Sequence, residues 1–407
     1  MKVLLIDVNC KNSSTGKIVY DIYTELRKRG HQAAIAYGRG NLVREPFIYK
    51  FGLDFETYMH AFLARITGIN GYFSYLSTVR LIRYIKWFQP DVVHIHELHA
   101  YFVNWETLIK FLNKSRIKVV WTFHCEYAYT GKCGHSYECK KWMEGYGGCG
   151  KCPYIKDYPK SLFFDRTAWM FKRKKRLLKD FDCTIITPSK WLSDRVRKSF
   201  LNDKDIRVIN NGIDTSVFKR ASAVEIKSLR RELGIPDEHR IFVSVAPDIM
   251  SDRKGGKWVV KLAERMRDEK VTFVLVGGKS GIGRKAPYFK EFGLSWDDTI
   301  KKPQQVLQYG RGEFNLQQER SVSHNRIRSN VLRNTDNWIR CWRFKGNSKC
   351  IIIEKIPQDM LRVFYSIGDV FLQCSEWETF SMTCGESVVC GTIVCGFKNG
   401  VVEKIWT

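Results

Sequence analysis

The sequence predicts an α/β protein of two Rossmann-like lobes, each a mostly parallel sheet with helices on its faces. Three observations carry that expectation. At 407 residues the chain is too long for one ordinary core and fits two. Short apolar runs alternate with helical patterns along the chain, the order expected of βαβ units. That alternation occurs twice, with a break in the stretch Asp214 to Val224. A hydrophobic fraction of 44% is ordinary for a folded protein, so disorder is not the default.

The first lobe is assigned to residues 1–214. Val3 to Val8 reads as a buried strand, followed by a polar loop, Asn9 to Thr15, and then Gly16. Ile18, Val19, Ile22 and Leu26 share one face of a helix that stops at Gly30. Gln32 to Tyr37 is the next strand, which completes a β-loop-α-β opening. Further apolar runs at Asp91 to Ile95, Lys118 to Phe123, Cys183 to Thr187 and Ile206 to Ile209 extend the sheet.

The second lobe, residues 215–407, restarts with a strand at Ile241 to Val245 and a helix at Lys257 to Arg267. A strand at Val271 to Val276 ends in Gly277-Gly278. Ile356 to Ile367 then reads as a helix, with strands at Asp369 to Gln373 and Ile393 to Phe397. Residues 279–349 break the pattern. They are rich in Arg, Asn, Gln and Ser, carry no sustained period, and have too few apolar side chains for a core. Two readings stay open: an irregular basic insertion, or a frameshifted stretch between two intact pieces. The chain also stops soon after its last strand, so an incomplete C-terminus is expected.

Charge and cysteine content bound the partners. Lys and Arg number 68 against 42 Asp and Glu, a net +26, and that field favours an anionic ligand or surface. Met1-Lys2 runs directly into a strand and lacks the apolar core of an export signal, so a cytoplasmic location is expected. The thirteen cysteines then read as reduced, and clustered ones suggest metal.

The most informative stretch is Ser375-Glu376-Trp377-Glu378-Thr379-Phe380-Ser381-Met382-Thr383-Cys384-Gly385-Glu386-Ser387. Glu378 falls in a loop after a strand and Glu386 in the helix that follows. A helix N-terminus so placed offers unpaired N–H groups and a positive dipole end to a diphosphate. A carboxylate farther along can accept hydrogen bonds from ribose hydroxyls. Two glutamates at this spacing would alone be a solvated helix face; the surrounding Thr-Phe-Ser-Met and the later Cys390-Gly391-Thr392-Ile393-Val394 make the match specific.

Here the chain resembles glycosyltransferase family 4, the retaining group-1 glycosyltransferases of the GT-B fold. The resemblance implies that Glu378 lies near the donor sugar and that Glu386 binds the ribose. Asn9 to Gly16 sits where the family has its glycine-containing loop, with Gly16 as its one glycine, a donor-binding candidate. Asp91 to His96 and Trp121 to His124 resemble the two strand ends that line the family's cleft. His124 takes the place of the cleft histidine, which makes His124 and Glu378 the catalytic candidates. Thr187 to Trp191 and Asn210 to Asp214 resemble the end of the first lobe and the interdomain entry. Arg253-Lys254-Gly255 resembles the phosphate-binding stretch, whose cations would neutralise the departing diphosphate. Many members carry a further arginine upstream, where this chain has Asp248.

A second constellation is Cys133, Cys139, Cys149 and Cys152, with Cys125 just upstream. A Cys-x2-Cys knuckle and two more thiols can enclose a tetrahedral structural zinc, and Gly147, Gly148 and Gly150 allow the turn that aims them. His124 and His135 are alternate ligands. The stretch Trp169 to Phe181 carries six Lys or Arg against one Asp and reads either as a helix lying on an anionic membrane surface or as a solvated basic face.

The expected activity is retaining transfer of a sugar from a UDP- or GDP-sugar to a glycan or lipid-linked acceptor in cell-surface polysaccharide synthesis. The enzyme would be cytoplasmic and peripheral on the inner membrane face. A catalytically disabled fragment is the alternative raised by residues 279–349 and the short C-terminus. A basic zinc-containing nucleic-acid-binding protein is the competing class, but the sequence contains no familiar nucleic-acid-reading module and no specific nucleic-acid partner is expected.

Overall fold

The computed structural model describes residues 1–11, 13–277, 347–353, 356–357 and 360–397, and the backbone strands at 295–296 and 339–343. The chain divides into two compact units, Met1–Gly212 and Ile213–Thr407.

Unit 1 is built on seven parallel strands: β1 (Lys2–Asp7), β2 (Gln32–Tyr37), β3 (Ile48–Lys50), β4 (Val92–Ile95), β5 (Lys118–Thr122), β6 (Thr184–Thr187) and β7 (Asp205–Val208). Their order across the sheet is β3-β2-β1-β4-β5-β6-β7. Both faces are covered, so the strands read as continuous apolar runs. Leu4 and Ile6 enter a core with Val93, Ile95 and Trp105, whereas Leu5 enters a separate core with Val19 and Tyr23. The covering helices include α1 (Ser14–Lys28), α2 (Asp54–Thr67), α3 (Tyr75–Phe88), α4 (Trp105–Ser115), α5 (Thr167–Lys179) and α6 (Lys190–Arg197).

Unit 2 has α7 (Ala223–Glu232), β8 (Arg240–Val245), α8 (Gly256–Arg265), β9 (Val271–Val276), β10 (Ser295–Trp296), β11 (Ile339–Arg343), β12 (Lys349–Ile353), α9 (Leu361–Ile367), β13 (Val370–Gln373), α10 (Met382–Val389) and β14 (Ile393–Gly396). The strand order is β10-β11-β12-β9-β8-β13-β14. From β12 to β14 every pairing is parallel; β10 and β11 add antiparallel pairings at one edge.

Two expectations need correction. The stretch 279–349, read as lacking regular elements, contributes β10, β11 and the first residue of β12. Most of the rest of it, and the tail 398–407, lie outside the described residues. The last of those strands is not announced by the pattern before it: Cys350, Ile351, Ile352 and Ile353 are all buried, and β12 pairs with β9 from Lys349–Thr272 to Ile353–Val276. The basic helix fits the reading of a solvated basic face over an amphipathic core, with one correction: Lys174 is buried among its apolar positions. In α5, Met170, Phe171, Lys174 and Leu178 are buried, Arg173 is paired with Glu106, and Lys172, Lys175, Arg176 and Lys179 face solvent.

Each sheet has one point where the chain reverses its direction of travel across the strands. In unit 1 it falls between β1 and β4; in unit 2, between β8 and β13. Crevices beyond the carboxyl ends of strands at such points are where open α/β sheets bind ligands.

Candidate functional site

In unit 2 the reversal point gathers the sequence-predicted donor residues. The loop after β8 passes through Arg253 and Lys254 before Gly255 starts α8, and the loop after β13 carries Glu378. The loops are tied by the Glu376 amide, which donates to the Arg253 carbonyl at 2.9 Å. Gly255 is needed for that closeness. Its φ is +71°, and a Cβ there would stand 2.0 Å from the Cys374 carbonyl oxygen.

Lys254 donates to the Glu378 carboxylate, and the Arg253 guanidinium stands 3.9 Å from the same oxygen. Arg253 also donates to the Trp377 carbonyl at 3.3 Å. Burial pushes the Glu378 carboxyl up, but the charges of Lys254 and Arg253 and hydrogen bonding from Lys254 and Ser375 outweigh it and hold it below the usual range. The result is a carboxylate and two cations at one spot, with only 12% of the Glu378 side chain and 16% of the Lys254 side chain exposed.

The helix after this loop, α10, begins at Ser381 with no side-chain cap and no acidic residue in its first turn. Its leading N–H groups are therefore not claimed by a cap, and α8 likewise starts without a side-chain cap. Glu386 sits farther along α10, buried, and accepts a hydrogen bond from the Tyr365 hydroxyl of α9 at 2.7 Å. Tyr365 was not legible as a site residue. It looks like any apolar helix position until the fold turns it onto Glu386.

In unit 1 the reversal point holds a different chemistry. Gly16, in the first turn of α1, packs on Asn9: a Cβ there would meet the Asn9 carbonyl at 3.2 Å. Asp7 ends β1 fully buried, accepts from the amides of Asn9 (3.2 Å) and Glu97 (3.1 Å) and from the Thr15 hydroxyl (3.1 Å), and so binds the β1 and β4 loops together. Burial, against those hydrogen bonds, pushes its carboxyl up to about 7.

His124, at the end of β5, lies 3.0 Å from His96 through Nε2 and Nδ1, with the rings nearly parallel. His94 bonds Thr122 at 2.8 Å. Burial draws His94 and His124 down to about 4, and His96 is depressed by burial and by both neighbours, so all three are neutral near pH 7. Burial also pushes Glu97 up, but His99, His124 and the Cys125 thiol outweigh it and hold the carboxyl at about 2. Ligand atoms of Glu97, His99 and Cys125 all lie within 4.8 Å of one another. None of Asp7, His96 and Glu97 was singled out as a site residue from sequence; only their burial distinguishes them.

Cys133, Cys139, Cys149 and Cys152 all line one small cavity of about 10 Å³ in unit 1, apart from the histidine cluster's own contacts. The structure therefore gathers three sets: Arg253, Lys254 and Glu378, with Glu386 on the next helix; His124 with His96; and the four cysteines.

Comparison with known proteins bears on the family and the fold. Residues 15–217 match the sequence profile of Glycosyltransferase Family 4. The colanic acid biosynthesis glycosyl transferase WcaC of Escherichia coli K12 is 25% identical over 276 residues, 64% of this chain. The match spans 65% of that relative's length. Sucrose-phosphate synthase of Thermosynechococcus elongatus superposes with a TM-score of 0.56 at 14% identity, covering 99% of this chain and 82% of that one. HepE of Anabaena, solved with UDP and glucose, gives 0.53 at 15% identity with 99% and 82% coverage. Both support the GT-B fold. The profile runs through nearly all of unit 1, so that unit carries the sequence signature of glycosyltransferase family 4.

Proposed function

We propose that this chain is a retaining glycosyltransferase that moves a sugar from a nucleoside diphosphate donor to a glycan or lipid-linked acceptor in polysaccharide assembly. The observation that carries the reading is the Arg253–Lys254–Glu378 cluster at the reversal point of the second sheet, beside two uncapped helix starts. When the anomeric C–O bond breaks, the diphosphate gains negative charge. Arg253, Lys254 and the N–H groups of α10 neutralise it, and the low exposure of the site strengthens each interaction. Glu378 holds the sugar hydroxyls, Glu386 the ribose, and Tyr365 sets the Glu386 carboxylate. Within unit 1, burial keeps His124 neutral, so its ring can hydrogen-bond a sugar hydroxyl, and Gly16 lets the β1 loop pack closely on α1. Positioning and charge stabilisation suffice; no strong nucleophile is required.

HepE was solved with UDP, so UDP-sugars are the first donors to try, with GDP-sugars beside them. Titration followed by tryptophan fluorescence is expected to show saturable binding of one donor. Glu386→Ala should weaken it roughly tenfold to a hundredfold, the value of one or two charge-assisted hydrogen bonds. A folded protein that binds no sugar nucleotide would point instead to a disabled transferase.

Unit 1 also has the surface expected of a lipid-facing enzyme. Phe55, Tyr58, Met59 and Phe62 recur on one face of α2 and are 65%, 72%, 47% and 55% exposed. Exposed Leu162, Phe163 and Phe164 follow where the Leu162 amide bonds the Arg65 carbonyl at 2.8 Å. Among the described residues no helix is long and apolar enough to cross a membrane. Co-sedimentation with phosphatidylglycerol vesicles is therefore expected, and Phe55→Ser with Phe62→Ser should abolish it. Retention of binding by that double variant would move the contact elsewhere.

A further inference from the structure

Residues 123–166, between β5 and α5, contain no helix or strand, yet much of the segment is buried. Trp142, Tyr127 and Tyr129 are each at most 1% exposed. A connection of this length without its own regular structure needs another source of order. Part of it is polar. Glu126, wholly buried, pairs with Arg195 at 2.6 Å and accepts from the Ser136 amide at 2.6 Å, and Trp142 donates to the Ser136 hydroxyl at 2.9 Å.

The remainder converges on the four cysteines. The cavity of about 10 Å³ that they line has room for one ion or one water-sized occupant, and not for a multi-iron cluster. Cys149 Sγ accepts from the Gly131 amide at 3.2 Å, and the Cys152 amide donates to the Asp165 carboxylate at 2.6 Å. An amide aimed at sulfur, as at Cys149, is what a thiolate ligand requires as its outer shell. Left-handed glycines make the turn into the knuckle: Gly147 and Gly148 have φ of +79° and +87°. Lys141 Nζ then pins the turn by donating to the carbonyls of Gly150 and Lys151, both at 2.9 Å.

Charge points the same way. Lys132 is 2% exposed and donates to three carbonyls, Ile155 (2.9 Å), Asp157 (2.8 Å) and Pro159 (2.7 Å). Three donated bonds from one nitrogen require an ammonium. Lys174, 1% exposed, donates to the Tyr127 carbonyl at 2.6 Å and stands 3.5 Å from the Tyr127 ring centroid. Lys132 also lines the cavity, so a basic side chain stands beside a site that carries a net −2 charge when four thiolates hold a divalent ion. The sulfurs stand wider than a bound ion would hold them, since Glu97, His99 and Cys125 form the one described group with all ligand atoms within 4.8 Å.

We propose that Cys133, Cys139, Cys149 and Cys152 hold one tetrahedral zinc ion, which with Lys132 and Lys174 is the internal support of the 123–166 loop. Binding releases the four thiol protons to solvent, and the metal keeps its oxidation state.

The test is metal analysis of the full chain, purified from zinc-supplemented cells without chelator. About one zinc per chain is expected, released in step with mercurial blocking of four thiols. Cobalt exchanged into the protein should give the thiolate-to-metal charge-transfer and visible ligand-field bands of a tetrahedral tetrathiolate site. Glu386→Ala should keep its zinc, so failure of the donor reading and failure of this one are separable. Cys149→Ser should lose the cobalt spectrum; if that variant does not fold, the parent protein's stoichiometry and spectrum decide alone. Four freely reactive thiols without metal, a Cys133–Cys152 disulfide in the purified protein, or bound iron in place of zinc would each overturn the proposal.

Discussion

Replacing Lys254 with alanine is expected to lower kcat/KM about 10²–10³-fold, the usual cost of removing one preorganised charge from a developing anion. The fall should lie mainly in kcat, because the charge on the leaving diphosphate grows only as the glycosidic bond breaks. Some stability should be lost as well, since Glu378 would keep only Arg253, 3.9 Å away, as a charged partner in a largely enclosed place. That complication is reduced by pairing Lys254→Met with Glu378→Gln, which deletes both enclosed charges and leaves only Arg253, a third exposed, without its carboxylate neighbour. If the ion pair were merely structural, the double variant would recover activity along with stability. Recovery of stability alone is the expected result, measured by thermal unfolding beside donor-saturated turnover. A double variant turning over like the parent would remove both residues from the reaction.

The fold was legible because a parallel sheet buried on both faces writes each strand as an uninterrupted apolar run. Val271–Val276, for instance, is buried at every position. β12 escaped for the opposite reason: Cys350 to Ile353 are as apolar, but they directly follow a stretch with no pattern, and no helix period leads into them. The meeting of Lys254 and Glu378 was legible from local order, since each occupies a loop beside a helix start. Depth was not. Nothing in a lone Asp7 at a strand end, or in Lys174 amid a run of lysines and arginines, says that the side chain is buried. Burial is decided by which strands become neighbours, and only the order β2-β1-β4 brings the Glu97 amide onto the Asp7 carboxyl. The cysteine spacing suggested a metal, whereas Lys174, which supports the same loop, comes from α5, outside the motif.

Unit 1 should lose stability as the pH falls from about 6.5 to 4, and the histidine cluster should be the main cause. His94 and His124 have folded values of about 4, below the ordinary 6.5, and His96 is depressed with them. A base depressed in the fold binds its proton more readily in the unfolded chain. Its stabilising contribution is complete above the unfolded value and lost as the pH drops toward the folded one. At about 1.4 kcal/mol per pKa unit, each of the two histidines at about 4 contributes roughly 3 kcal/mol at most. Two acids act on the same loops. Asp7, raised to about 7, works in the opposite sense: the fold favours its protonated form, so its contribution is lost as pH rises between 3.8 and about 7. Glu97, held at about 2, adds acid lability only below its ordinary 4.5. Three histidines against one aspartate leave a net loss on acidification through this window. Urea unfolding at pH 7 and pH 4.5 would measure it, with fluorescence from Trp121, whose indole donates to the His96 carbonyl at 3.1 Å, as the local reporter. His124→Asn should flatten the pH dependence by removing one titrating ring and relieving His94 and His96 of their shared neighbour. Equal stability at the two pH values, or an unchanged slope in the variant, would mean that protonation of the cluster is accommodated by water or by Glu97 and not resisted by the fold.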